Sequence, residues 1–452
     1  MPRISFVLSF VLTAIMFHVP AAGAQVIERP ARVYRGLFGA GPVAVNRWRH
    51  DVTFSGNMLG GFDDNLCPVA GDGAVTGGST QGTCGSLGYG AAQFVYSANR
   101  ATKTIEFAAR GFTNVFRGLG LKPAYGGEAS ARLATPLGGR NTLSGFERYA
   151  DNPMFAPGVA LPPLSIDGPV APATAPLANN TTGYLVRRSR TLDGNLLLQR
   201  RVTRRTTMAV GGSHGADRYV DGVGDTDTVG AVFTFGRTIG QQSMLGAGYN
   251  FSSTRVQSPP APPHPLETHN VTFNYSISHR LTPSRQLAVS LGGGVTQVNT
   301  IGGLTSAPLS YSTPSGQANF RIDLTRSWNV ALDYDRAVSV IEGVSLDSFV
   351  TNNVALRAGG DLGPRGALAM SGNWVTGRAG AEGAGTYESS TGILQLQFAA
   401  NRWMDTMISY TFYAYRLNGV TTITPGLATN LDRHAVRAGL TLRLPLYGHA
   451  AR

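Results

Sequence analysis

Lysine is almost missing from this chain: Lys103 and Lys122 are the only two in 452 residues, so arginine carries the formal charge of +12. Charged residues of both signs make up 14%, against about 25% in ordinary soluble domains, which argues against a conventional water-facing surface. A nucleic-acid binder gathers its basic residues into patches interleaved with aromatics. Here the arginines are scattered along the chain, and no nucleic-acid partner is expected. After residue 24 there is no run of 18 apolar residues, so the remainder has no transmembrane helix. Segments with a 3.6-residue apolar period are also missing, so no helical layer is on hand to cover an apolar sheet. No cluster of Cys and His has metal-ligand spacing, and neither a metal site nor any other cofactor is expected.

The first 24 residues differ from the rest. Met1-Pro2-Arg3 starts the chain, Ile4 to Val19 is apolar, and Ala22-Gly23-Ala24 precedes Gln25. This is the order of a secretory signal peptide, cleaved after residue 24. Residues 25–46 lack any period and are expected as a periplasmic lead-in, with a barrel over 47–452. Cys67 and Cys84 stand 17 positions apart in a Gly-rich stretch. In an oxidising compartment they are expected to form a disulfide, stabilising the fold by about 2–4 kcal/mol at most.

Strict period-two alternation is what the sequence does have. Val271, Phe273, Tyr275 and Ile277 alternate with Thr272, Asn274, Ser276 and Ser278, and the pattern resumes with Leu287, Val289, Leu291, Gly293 and Val295 after a short Pro/Ser/Arg turn. Successive side chains of a strand point to opposite faces, so this is an antiparallel hairpin with one apolar and one polar face. Each arm has about the 9–11 residues that a tilted strand needs to cross a bilayer. Short turns recur around Thr203, Thr238, Thr282, Arg326, Gly363 and Asn401, at intervals of 35, 44, 44, 37 and 38 residues. Longer polar, Gly- or Pro-rich segments separate the hairpins, including Gln257 to Leu266, Arg378 to Tyr387 and a Pro-rich loop over 150–188. Short turns alternating with long loops are the layout of a membrane barrel with short periplasmic turns and long extracellular loops. The expected fold is all-β: a single transmembrane antiparallel β-barrel of about 18 strands, with 16 as the alternative count.

The last run, His434 to Leu446, carries Arg437, Gly439, Leu442 and Leu444. That spacing resembles the final strand of bacterial outer-membrane proteins: a polar residue, a glycine two later, and hydrophobic residues three and five further on. The chain departs from it by continuing through Tyr447 to Arg452. The resemblance implies recognition by the barrel-assembly machinery and residence in the cell outer membrane, in contact with its lipid. The hairpin repeat is similar to outer-membrane β-barrel porin families, some of whose members accompany exopolysaccharide export genes. That likeness implies a channel, and polysaccharide export components as partners.

By alternation the inward face includes Arg321, Asp323, Asn329, Asp333, Asp335, Arg357, Arg437 and Arg443. These either set an ion preference in the lumen or pair with one another, as Arg321 and Asp323 would two apart on one strand. A channel or porin-like conduit for solutes, anionic or polysaccharide, is the leading expectation. A structural or adhesive barrel plugged by residues 150–188 stays open. No enzyme is expected: a lipid hydrolase would need a nucleophile beside a base, and Ser213, His214 and Asp217 are the nearest set, with Ser213 and His214 on opposite faces of any strand.

Overall fold

The computed structural model describes residues 48–64, 86–100, 103–117, 123–152, 188–219, 225–258, 261–282, 285–300, 309–325, 327–340, 348–379, 385–401, 403–419 and 430–447. The signal segment 1–24, the lead-in, Cys67, Cys84 and most of the Pro-rich loop lie outside the described residues. The strands are β1 (Arg49–Asp63), β2 (Ser86–Arg100), β3 (Lys103–Arg117), β4 (Ala124–Leu137), β5 (Asn141–Asn152) and β6 (Ser189–Arg201). Next come β7 (Thr206–Tyr219), β8 (Asp225–Thr238), β9 (Ser243–Ser258), β10 (Ala261–Thr282), β11 (Arg285–Thr300) and β12 (Leu309–Asp323). The last six are β13 (Asn329–Val340), β14 (Ser348–Leu362), β15 (Gly366–Ala379), β16 (Thr386–Ala399), β17 (Met404–Asn418) and β18 (Asn430–Tyr447).

Each strand pairs antiparallel with its neighbours in the chain, and β18 pairs with β1 from Val52 opposite Tyr447 to Asp63 opposite Ala435. The sheet is therefore a closed barrel of 18 strands. Closure gives every strand two partners, which is what a sheet needs where no water can hydrogen-bond an open edge.

The two faces are inverted relative to a water-soluble protein. Along β17 the polar Asp405, Ser409 and Thr411 are buried, whereas Ile408 and Tyr410 are exposed. Register carries this polarity from strand to strand. Leu143, Leu198, Val210, Phe233, Tyr249, Val271 and Val295 stand side by side across β5 to β11 on the outer face. Phe273 is 65% exposed there. Such a wall of exposed apolar side chains is stable only in lipid.

Aromatic residues with polar partners bound the apolar wall. Toward the long-loop end, Trp374 Nε1 donates to Glu388 at 3.1 Å and Tyr334 donates to Asn352 at 3.1 Å. Tyr249 and Tyr410 hydrogen-bond His269 and His434 at 2.8 and 2.7 Å. Near the other end Tyr96 bonds His50 at 2.8 Å. Rings with one wet and one apolar end sit where hydrocarbon meets headgroups.

The short turns fall where the sequence places them. Gly138 and Gly363 adopt φ of 80° and 79° in two of them, a conformation that costs a residue with a Cβ. The segment 257–266 departs from expectation. Instead of a loop, β9 runs to Ser258 and β10 resumes at Ala261, with Ala261 opposite Ser258 and a register irregularity between Ala261 and His264. Pro262 and Pro263 lie at that irregularity, where a strand does not need their missing N–H groups.

Glycine marks close approach at the seam. A Cβ on Gly439 of β18 would overlap the Met58 carbonyl oxygen and come within 2.8 Å of Leu59 Cα on β1. One on Gly60 meets nothing within 4 Å. Gly439→Ala is therefore expected to destabilise the barrel by about 1–3 kcal/mol through overpacking, while Gly60→Ala leaves it unchanged, as read from urea unfolding of the refolded protein. The faces are testable in the same assay. Phe273→Arg is expected to cost about 2–4 kcal/mol at midplane depth, against little for Asn274→Arg on the inner face; equal costs would overturn the assignment.

Candidate solute path along the inner wall

Period-two geometry and the strand registers place Arg321, Asp323, Asn329, Asp333, Asp335, Arg357, Arg437 and Arg443 on the inner wall, opposite the exposed apolar set. They do not form one ring. Arg437 shares a pairing row with Ser409, Gln395, Ala369, Gly359, Asn329 and Asp323 across β18 to β12. Arg357 and Arg321 share the next row with Ala331 between them. Gly439 is also inward, whereas Leu442 and Leu444 face outward.

Most of these charges meet an opposite charge. Arg357 Nη2 lies 2.8 Å from Asp333, which also accepts from Asn319. Arg321 and Asp323 approach to 3.7 Å, and Arg443 stands 3.6 Å from the fully buried Asp405, to which Gln397 donates at 2.6 Å. Three more inner pairs were not singled out in the sequence. They are Arg49 with Asp51 at 2.9 Å, Arg110 with Glu128 at 3.5 Å and Arg148 with Asp193 at 2.8 Å. Alternation alone could have marked each residue as inward. Only the register between strands brings Arg148 to Asp193, which are 45 positions apart.

The wall has two unlike arcs. On β16 to β3 it carries large, buried side chains: Tyr387, Tyr413 and Tyr415, Arg433 and Arg437, and a packed cluster of Leu59, Tyr89, Phe112 and Met407. Arg110 is 5% exposed, donates to the Tyr89 hydroxyl, and sits 5.6 Å from the Phe112 ring centre. Asn114 beside them is 1% exposed with neither side-chain polar atom bonded.

On the opposite arc, β7 to β12, most inner positions are small or amidic. β10 offers Thr268, Asn270, Thr272, Asn274, Ser276 and Ser278, and β11 offers Ser290, Gly292, Gly294 and Thr296. The run Gly292-Gly293-Gly294 sits at the middle of β11. A Cβ on Gly292 would press on Gln317 at 2.9 Å and one on Gly294 on Thr272 Cα at 2.9 Å, whereas Gly293 faces open space outward. The two inward glycines thus let neighbouring strands approach closely.

The hydrolase set is not assembled. All three residues lie in β7, but Ser213 and Asp217 are inward and His214 is outward. Asp217 is held by Thr191 at 2.6 Å and Thr226 at 3.2 Å. His214 Nε2 lies 3.5 Å from Glu147, across Gly194, where a Cβ would overlap the Glu147 carboxylate. That arrangement pairs the imidazole with a carboxylate on the opposite face from Ser213. Among the described residues no group of three or more His, Cys, Asp or Glu could hold a metal ion.

No protein-family model matches the chain, and no curated protein sequence does. Among solved structures it is similar to OpdL of Pseudomonas aeruginosa, at 12% identity over 88% of this chain and 99% of that one, TM-score 0.40. OccK5 (OpdH) of the same organism matches at 12% over 90% and 100%, TM-score 0.43. OccAB4 of Acinetobacter baumannii matches at 9% over 88% and 98%, TM-score 0.42. At such scores the likenesses carry no argument, and the fold rests on the chain's own strand register. A closed 18-stranded antiparallel barrel with an apolar exterior and a polar interior is the architecture of an outer-membrane protein, and the chain is an outer-membrane β-barrel.

Proposed function

We infer that the barrel is a passive outer-membrane channel for polar solutes. The observation that carries this reading is the inner wall: a closed barrel needs only an apolar exterior to be stable in lipid, yet this one keeps hydroxyl, amide and ion-pair side chains along its interior. Such groups replace the hydrogen bonds that a passing solute leaves in water.

Six inner arginines stand beside carboxylates, so most of the wall's charge is neutralised locally. The channel is therefore weakly charge-selective. Polyhydroxylated solutes, saccharides included, suit a wall that sets Ser, Thr and Asn opposite tyrosines. Export of a polysaccharide is the specific form of this proposal. Arg437, Gly439, Leu442 and Leu444 are proposed to be read by the assembly machinery on the final strand, whose pairing with β1 closes the barrel.

In planar bilayers the refolded protein is expected to show discrete conductance steps that a soluble oligosaccharide blocks in a dose-dependent way. An absence of steps would favour a plugged structural barrel. Under a salt gradient the reversal potential is expected to lie near zero with a slight anion bias. Asp333→Asn, which removes the carboxylate from Arg357, is expected to shift it further toward anions; a shift toward cations, or none, would exclude this pair from the conducting path.

A further inference from the structure

The exterior of the barrel ends differently at its two rims. At the long-loop rim outward charges come in both signs and pair, as Arg188 does with Asp151 at 2.6 Å and Arg218 with Asp227. At the short-turn rim the outward charges are of one sign. Outward-facing apolar runs finish there in a cation on five strands. Tyr96 and Ala98 lead to Arg100 on β2, Phe107 and Ile105 to Lys103 on β3, and Leu196 and Leu198 to Arg200 on β6. Phe233 and Phe235 lead to Arg237 on β8, and Val289 and Leu287 to Arg285 on β11.

The turns between add Arg140, Arg204 and Arg205. Lys103, Arg140, Arg200, Arg204, Arg205, Arg237 and Arg285 are all exposed, and none forms an ion pair with a described residue. The acidic residues near this rim, Asp51, Glu106, Asp323, Asp361 and Asp405, all occupy inward positions. Acids are thus kept off the outer side of this rim while cations stay on it.

We propose that this collar, spanning β2 to β11, binds the phosphate groups of acidic phospholipids in the leaflet bordering the short turns. Continuity decides the occupant. Each cation on a strand ends a lipid-facing apolar run, so its stem lies along hydrocarbon and its charged head reaches headgroup depth. A cation serving solutes would point into the mouth, and one serving a periplasmic protein would stand on the turn tips alone. Near an anionic lipid surface each cation strengthens binding by about fivefold, equivalent to about 1 kcal/mol, and the attraction fades within a Debye length.

The test uses the full-length barrel in vesicles of phosphatidylethanolamine and phosphatidylglycerol, with native mass spectrometry counting the lipids retained after extraction. Wild type is expected to retain phosphatidylglycerol in excess of its share of the vesicle, and to lose that excess at high salt. Arg200→Gln, Arg237→Gln or Arg285→Gln is each expected to lower the enrichment by up to about fivefold, while Arg237→Lys keeps it. The folded, heat-modifiable band on gels confirms that each variant has closed. No enrichment in wild type, or full enrichment after neutralising all three arginines, would overturn the proposal. So would a loss of anion conductance in that triple variant with lipid retention unchanged, which would assign the collar to solutes. Because the lipid count does not depend on conduction, failure of the channel reading would leave it intact.

Discussion

The pairing of β18 with β1 is the contact on which the rest depends. In hydrocarbon no solvent satisfies a free backbone N–H or C=O, and each unsatisfied group costs several kcal/mol. A sheet with two open edges would carry a full row of them at each edge. Closure removes both rows at once, through a register that runs from Val52 to Asp63 along β1. It also defines an inside, because period-two alternation then sends one half of every strand to lipid and the other half inward. Gly439 and Gly61 face each other's strands at this seam with no room for a Cβ, so the two ends of the barrel are fitted closely where they meet.

Once inside and outside are set, the inner wall has to hold arginines and carboxylates, some of them buried as Arg110 and Asp405 are. It solves this by pairing, mostly across neighbouring strands: Arg357 with Asp333, Arg148 with Asp193, and Arg443 with Asp405. A buried charge whose partner is removed is costly, and a paired one is roughly neutral in its effect on stability. The ion pairs thus hold the arcs of the wall in place while lowering its net field. A chain with a formal charge of +12 accordingly places much of its unneutralised positive charge elsewhere. The short-turn rim takes a large share of it, outside the lipid-facing band and away from the interior.

The sequence by itself indicated the short turns and the face on which each residue stands, and it narrowed the strand number to about 18 with 16 as the alternative, between which closure of the sheet decides. Side-chain direction in a strand is a local property with a period of two, so Phe273 outward and Asn274 inward follow from their neighbours alone. The tight turn at Gly363 was legible from a different local signal, a glycine able to take the left-handed backbone conformation the turn requires. Proline misled the reading at 257–266, because its effect depends on whether the missing N–H falls at an irregularity of pairing, and the sequence does not show pairing.

Tertiary structure decided which inward residues meet across strands, whereas the approach of Arg321 to Asp323 within one strand was readable from their spacing. Asp405 is 38 positions from Arg443 in the chain, and Arg148 is 45 from Asp193. Their encounters depend on the stagger between strands, a sum of turn geometries around the barrel that no single segment encodes. The same holds for the meeting of His214 with Glu147 across Gly194. It holds also for the cationic rim, whose members lie on five strands and the turns between them and become one collar only when those strands pair. Local alternation fixes direction, which is why the faces could be read; closure and register fix neighbours, which is why the contacts could not.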